Sequence, residues 1–339
     1  MMRFTPAFWK IVFVLLPQCA VFNPINAQSD TGKIPPASNF EPGTSNLKPD
    51  TVRIGAFVND IYDINLSEQS FSTQFWVWFN YRNPDLKPLE TLEVPNAKSL
   101  ETSLDFTEQK DGIVWAGKKV EAVVKKDWDI RRFPFDEQVM SIELEESNQD
   151  IGSMVYVADR ENTKLDPNLK LTNWIIERFE LNAGTKKYDT TYGDPTLSEA
   201  SEYPRATLQI FIRRQSWGLF FSLFTGLYVA FFISSLVFFI DPIEVDPRFG
   251  LSVGGLFAAV GNKYIVDSIL PQSTTFTLVD KLHILTYIFL LLCIVLSVIS
   301  LRIWKNGKEI SSARFDRRAY YTIVAAYVTI NAWLIYSAQ

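Results

Sequence analysis

No cysteine lies between residues 20 and 292, so no disulfide can brace that stretch and its stability must come from a packed core. The two cysteines are Cys19, near the start, and Cys293, deep in an apolar run. The single histidine, His283, heads another apolar run and has no partner for a metal or catalytic site, which leaves packing as its expected role. Glycine-rich phosphate loops, nucleophile elbows and metal-spaced clusters are missing as well, which argues against an enzyme and against any cofactor or metal. A net charge of −5 gives no support to nucleic-acid binding. What the chain does have is 47% hydrophobic and 14% aromatic residues over 339 positions, enough for a globular part and a membrane part.

The first 27 residues read as a signal peptide: Arg3 and Lys10, an apolar run over 11–22, then Ile25-Asn26-Ala27 ahead of polar sequence. An uncleaved anchor is the alternative. Residues 28–50, with Pro35, Pro36, Pro42 and Pro49, form a loose arm. From 51 to 214 the chain alternates apolar and polar residues in short runs, at 52–54, 71–81, 140–145, 174–181 and 208–212, with 113–124 expected to fold as a hairpin. That spacing predicts an exported all-β sandwich of antiparallel, immunoglobulin-like type. Residues 183–203 read as a long polar loop carrying Tyr188, Tyr192 and Tyr203.

Four apolar spans follow, at 217–240, 249–270, 282–301 and 320–338, which predicts an all-α transmembrane domain over 215–339. The first is 24 residues without a charge, ample for a hydrocarbon layer of ~30 Å. Arg302, Lys305, Lys308, Arg314, Arg317 and Arg318 between the third and fourth spans should stay cytosolic. The β-domain and the C-terminus then lie on the outer side of a multi-pass plasma-membrane protein, as the signal peptide also demands. The second span is chemically unusual, with Asn262, Lys263 and Asp267 and four glycines. Such side chains are costly against lipid. Steps of four and three place Gly250, Gly254, Phe257, Gly261, Tyr264 and Ser268 on one stripe. Two readings stand: close helix packing through small residues, or a pore lining narrowed at Phe257 and Tyr264.

Phe133-Pro134-Phe135-Asp136 stands at the tip of a predicted two-strand excursion, about eighty residues before the first span. Proline fixes its own φ and restricts the residue before it. A rigid, greasy loop of this kind is either a coupling element aimed at the membrane domain or an ordinary hairpin turn on a core.

From about Val52 to the C-terminus the chain resembles the pentameric ligand-gated ion channels, the Cys-loop receptor superfamily, in its bacterial branch. In that family two cysteines enclose an aromatic-Pro-aromatic-Asp corner. Here Lys126 and Met140 hold those positions, with thirteen residues between them, so the spacing survives and the bridge does not. Trp78-Phe79-Asn80-Tyr81-Arg82 resembles the family's Trp-x-Asp-x-Arg strand end, with Asn80 in place of the acid. Arg213 with Trp217 resembles the entry to the first membrane helix, and Ile269-Leu270-Pro271 the end of the pore helix.

The resemblance implies a homopentamer of identical subunits embedded in membrane lipid, gated by a small-molecule or ion ligand. The family's agonist segments fall on Thr73 and Phe75, on Asn96, and on Glu146, Ser147 and Asn148, with Tyr188, Tyr192 and Tyr203 on the capping loop. Coupling falls to Asp63 and Glu68 of one turn, to Phe133, Pro134, Phe135 and Asp136, and to Arg213. Acidic rings at Glu244, Asp246 and Asp267 point to cations, with Arg248 opposing them at the inner mouth. Pro247 resembles the anion-selective variant, at a spacing that differs by one residue. The rival of another class is a membrane-anchored binding protein that senses ligand without conducting.

Overall fold

The computed structural model describes residues 48–193 and 201–339. The signal-peptide reading and most of the arm at 28–50 lie outside them. The described chain is a two-sheet β-sandwich followed by four long helices. The first sheet holds β1 (Asp50–Asn65), β2 (Ser70–Tyr81), β4 (Ala97–Lys110), β5 (Ile113–Lys125) and β7 (Met154–Ala158) in the order β4-β5-β2-β1-β7, and β8 (Lys164–Leu165) also pairs with β1. The second runs β3 (Leu92–Glu93), β6 (Glu137–Glu146), β10 (Ser201–Arg214), β9 (Trp174–Tyr188).

Period-two alternation builds the core. Phe71, Phe75 and Phe79 of β2 face Met140, Ile142 and Leu144 of β6 and Leu208, Ile210 and Ile212 of β10 inside one buried cluster. Three expectations change here. Residues 113–124 are one strand, not a hairpin, because β5 pairs along its length with β4. β4 itself escaped notice because it is an edge strand with almost every side chain exposed, so it carries polar residues on both faces. The loop expected over 183–203 is ladder at both ends: β9 and β10 remain paired out to Tyr188 and Ser201. The sandwich is also not wholly antiparallel, since β7 and β8 run parallel to β1.

The helices are α1 (Ser216–Ser235, continued by a 3-10 turn at Leu236–Phe239), α2 (Val245–Ser268), α3 (Leu278–Lys305) and α4 (Glu309–Tyr336). All four are long and apolar enough to cross a membrane. Thr277 caps α3 reciprocally: its hydroxyl accepts from the Asp280 amide at 3.2 Å while the Asp280 carboxylate accepts from the Thr277 amide at 2.9 Å. Gly255 lets α1 and α2 meet closely, for a Cβ there would lie 1.8 Å from Ser234 Oγ.

Candidate functional site

The Phe133–Asp136 corner does not cap a hairpin. β5 and β6 belong to different sheets, so residues 126–136 cross from one to the other and are free to project toward the helices. The Phe133–Pro134 peptide is cis. Phe135 packs its ring against Trp217 and Phe220 of α1, at 5.2 and 5.6 Å between centroids. The Arg131 carbonyl accepts from the Leu278 amide at the start of α3, 2.9 Å away. Trp128 Nε1 donates to the Asn65 carbonyl at 3.1 Å, tying the segment to the β1–β2 turn. Arg131 also hydrogen-bonds Asp129, whose carboxyl is thereby held down at about 2.

Asp136 finds an arginine, but not the expected one. Arg214 donates to it from Nε at 2.6 Å and from Nη2 at 3.1 Å, with side chains 5% and 2% exposed. The guanidinium lies 3.9 Å from the Trp174 ring centroid and 4.9 Å from that of Phe133. Gln138 Nε2 supplies Asp136 with another donor at 2.9 Å. Arg213 points to the opposite face of β10, as successive strand residues must, and pairs there with Glu177 at 2.7 Å on the surface. The buried ion pair with Asp136 is therefore made by Arg214 and not by Arg213, the residue the resemblance points to. Asp63 and Glu68 lie at the junction: with Phe133 and Arg214 they line one open cleft that also touches Ser268 and Ile269 at the C-terminal end of α2.

The residues expected around a ligand separate into two groups. Tyr188, Tyr192 and Tyr203 meet as a trio of edge-on rings, 5.6, 6.2 and 6.4 Å apart. Tyr188 donates to Glu145 Oε1 at 2.7 Å and accepts from Arg205 Nη2 at 2.8 Å, and Arg205 Nε closes the triangle onto Glu145 at 2.6 Å. Burial, then the bond to Glu145, pushes the Tyr188 hydroxyl up to about 12. Glu145 and Arg205 were not foreseen; the signal available was an acid and a base in register across the β6–β10 ladder.

Glu146 is buried next door, accepting from Thr91 Oγ1 at 2.6 Å and from the Asn148 amide at 3.1 Å. Ser147 donates its hydroxyl to the Thr91 carbonyl, and Asn148 is exposed. Asn96 acts as a clip, donating to the Ser141 carbonyl and accepting from the Glu143 amide. Thr73 and Phe75 are a correction. Both are fully buried in the sandwich core, which removes them from any surface site. The outward parity of β2 belongs to Gln74 and Trp76.

The two readings of α2 divide by face. Arg248, Ser252, Gly255, Ala259 and Val266 are buried against the other helices. Gly250, Gly254, Phe257, Gly261, Tyr264 and Ser268 are all exposed, Phe257 at 72% and Tyr264 at 79%. A Cβ at Gly250, Gly254 or Gly261 would meet nothing within 4 Å. Asn262 spans the packed side, donating to the Leu223 carbonyl at 2.8 Å and lying 3.1 Å from His283 Nε2, so the lone histidine is built into helix contacts. Glu244 and Asp246 are exposed at the N-terminal end, and Asp267 near the C-terminal end is paired with Lys263, which also lies 3.0 Å from Asp280.

No protein-family model matches the chain. Among curated proteins, the proton-gated ion channel of Gloeobacter violaceus is 22% identical over 269 residues, covering 73% of this chain and 72% of that protein. The acetylcholine receptor subunit alpha-type acr-15 of Caenorhabditis elegans is 22% identical over 262 residues, 69% of this chain and 51% of that subunit. A sandwich joined to four apolar helices agrees with both matches. The chain is thus similar, at low identity, to an ion channel and to a receptor subunit. With four helices apolar enough to span a membrane, it is a multi-pass membrane protein. At the two positions matched by resemblance to the cysteine pair, the chain has Met140, fully buried, and Lys126, whose amine is held below its usual range by burial.

Proposed function

We propose that the chain is one subunit of a homopentameric, cation-selective channel in a bacterial plasma membrane, opened by a small extracellular molecule or ion. The observation that carries this reading is the free face of α2. Six positions in helical register are exposed along it while the opposite face is consumed in packing. Five copies around one axis would give that face its partner. Phe257 would form a narrow apolar collar that closes by dewetting, and Tyr264, two turns outward, a leakier second one. Glu244 and Asp246 would stack rings of negative charge at the inner mouth, and Asp267 a weaker ring outside, offset by Lys263.

Ligand would act near Tyr188, Tyr192 and Tyr203, whose π-faces suit a cation, and would open the pore through its higher affinity for the open state. The Gloeobacter relative is named as proton-gated, which makes protons the first ligand to try. The basic α3–α4 connection supports a cytosolic loop, with the sandwich and the C-terminus outside. Thiol labelling tests the reading. Cysteines placed at Gly254, Phe257 and Gly261 should react with a water-soluble reagent in the assembled protein, and one at Ala259 should not. Protection of position 257 with reaction at 259 would contradict it.

A further inference from the structure

The inner end of α2 carries one base among three acids, Asp241, Glu244, Asp246 and Arg248 in sequence. The acids are exposed, whereas Arg248 is 1% exposed and is the largest fully buried side chain described. Its guanidinium donates to the Ile240 carbonyl from Nε at 2.9 Å and from Nη2 at 2.6 Å, and to Ser297 Oγ from Nη1 at 3.3 Å. Nη2 also donates to Asp316 Oδ2 of α4 at 2.6 Å. The carbonyl and the hydroxyl are neutral, so among the described residues Asp316 is the one acid paired with this charge. Asp316 in turn is buried and spends its carboxylate on Arg248, for Oδ1 has no hydrogen-bond partner among the described residues. A buried carboxylate kept for one contact marks that contact as its purpose.

We propose that Asp316 is a positioning residue for ion selectivity. Its carboxylate holds Arg248 inside the helix bundle, so that Glu244 and Asp246 act on permeating ions without a base beside them. The proposal rests on the reading of α2 as the pore helix. Without the carboxylate, Arg248 is an uncompensated buried charge with water close by, since Asp246 and Pro247 beside it are exposed. A long, flexible side chain relieves that condition by turning its charge to water. Five copies would then set five positive charges among the acidic rings and favour anions.

The test compares wild type, Asp316→Asn, Asp316→Glu, Arg248→Gln and the Arg248→Gln/Asp316→Asn double variant as purified protein. Reversal potentials are read in planar bilayers under asymmetric potassium chloride. Asp316→Asn should move the reversal potential toward that of chloride, and the double variant should return it close to wild type. Asp316→Glu keeps the charge and should keep the preference. An unchanged reversal potential in Asp316→Asn overturns the proposal, as does a shift that persists in the double variant.

Thermal melting of the same proteins in detergent needs no current. Asp316→Asn should lower the melting temperature more than the double variant does, and if it fails to assemble, Arg248→Gln should restore assembly. Additive losses, or no restoration, overturn the proposal. A silent wild type with this coupling intact would remove the channel reading and the selectivity claim with it. A conducting wild type with unaltered selectivity in Asp316→Asn would remove the selectivity claim alone.

Discussion

Arg213 and Arg214 are neighbours with unequal work. Arg214 is buried, bidentate to Asp136 and stacked on Trp174, whereas Arg213 shares a surface pair with Glu177. Removing one partner of a buried pair strands the other, at a cost of roughly 3–5 kcal/mol, while a surface pair is worth about 0–1 kcal/mol. Arg214→Gln should therefore lower the melting temperature markedly and uncouple ligand from opening, and Arg213→Gln should do neither. Thermal unfolding of both variants side by side checks this. Equal losses would refute it.

Asp129 sets an acid limit in the same loop. The bond from Arg131 holds its folded-state carboxyl at about 2, against roughly 4 for an unfolded aspartate. That contribution is complete above the unfolded value and is lost as pH falls from four toward two. Asp129→Asn should flatten the pH dependence of stability in that window alone. A pH titration of the unfolding transition reads it directly.

At the scale of elements, period decides what the sequence discloses. The membrane helices are legible because length and apolarity identify them without any partner. β2, β6 and β10 are legible because one face is buried and alternation follows. β4 is hidden because neither face is buried, and the outer half of the β9–β10 ladder because its residues are polar. Parity misleads twice: the resemblance points to Thr73 and Phe75, on the core-facing side of β2, and to Arg213, on the face of β10 away from Asp136. In each case the resemblance located the segment, and only side-chain direction could choose the residue.

On α2 the glycines divide by role, and sequence spacing could not assign them. A Cβ at Gly255 collides with Ser234 and lies 2.8 Å from the Ala230 carbonyl, while one at Gly254 meets nothing. Gly255→Ala should force α1 and α2 apart and cost about 1–3 kcal/mol, as overpacking does. Gly254→Ala should stay within about 0.5 kcal/mol. Melting curves of the solubilised protein separate the two, and the reverse order would contradict the helix assignment.

Across the whole molecule, the strands and helices are joined at a few named points. Phe135 sits on α1, Arg131 bonds the start of α3, and Asp136 binds Arg214 one residue before the chain turns toward α1. The 126–136 segment thus touches two helices that flank α2 in sequence. The proposed gate lies on α2 itself. Phe257→Ala should remove the apolar collar and give a leak that needs no ligand, read as a standing current in cells or vesicles carrying the variant. The most direct test of the account is recording from purified wild-type protein in planar bilayers under asymmetric salt while candidate ligands, protons first, are applied from the side of the β-sandwich. The account predicts unitary currents that appear with ligand and reverse near the cation equilibrium potential. Reversal at the chloride potential would contradict cation selectivity, and silence under every ligand tried, with Phe257→Ala also silent, would contradict the channel.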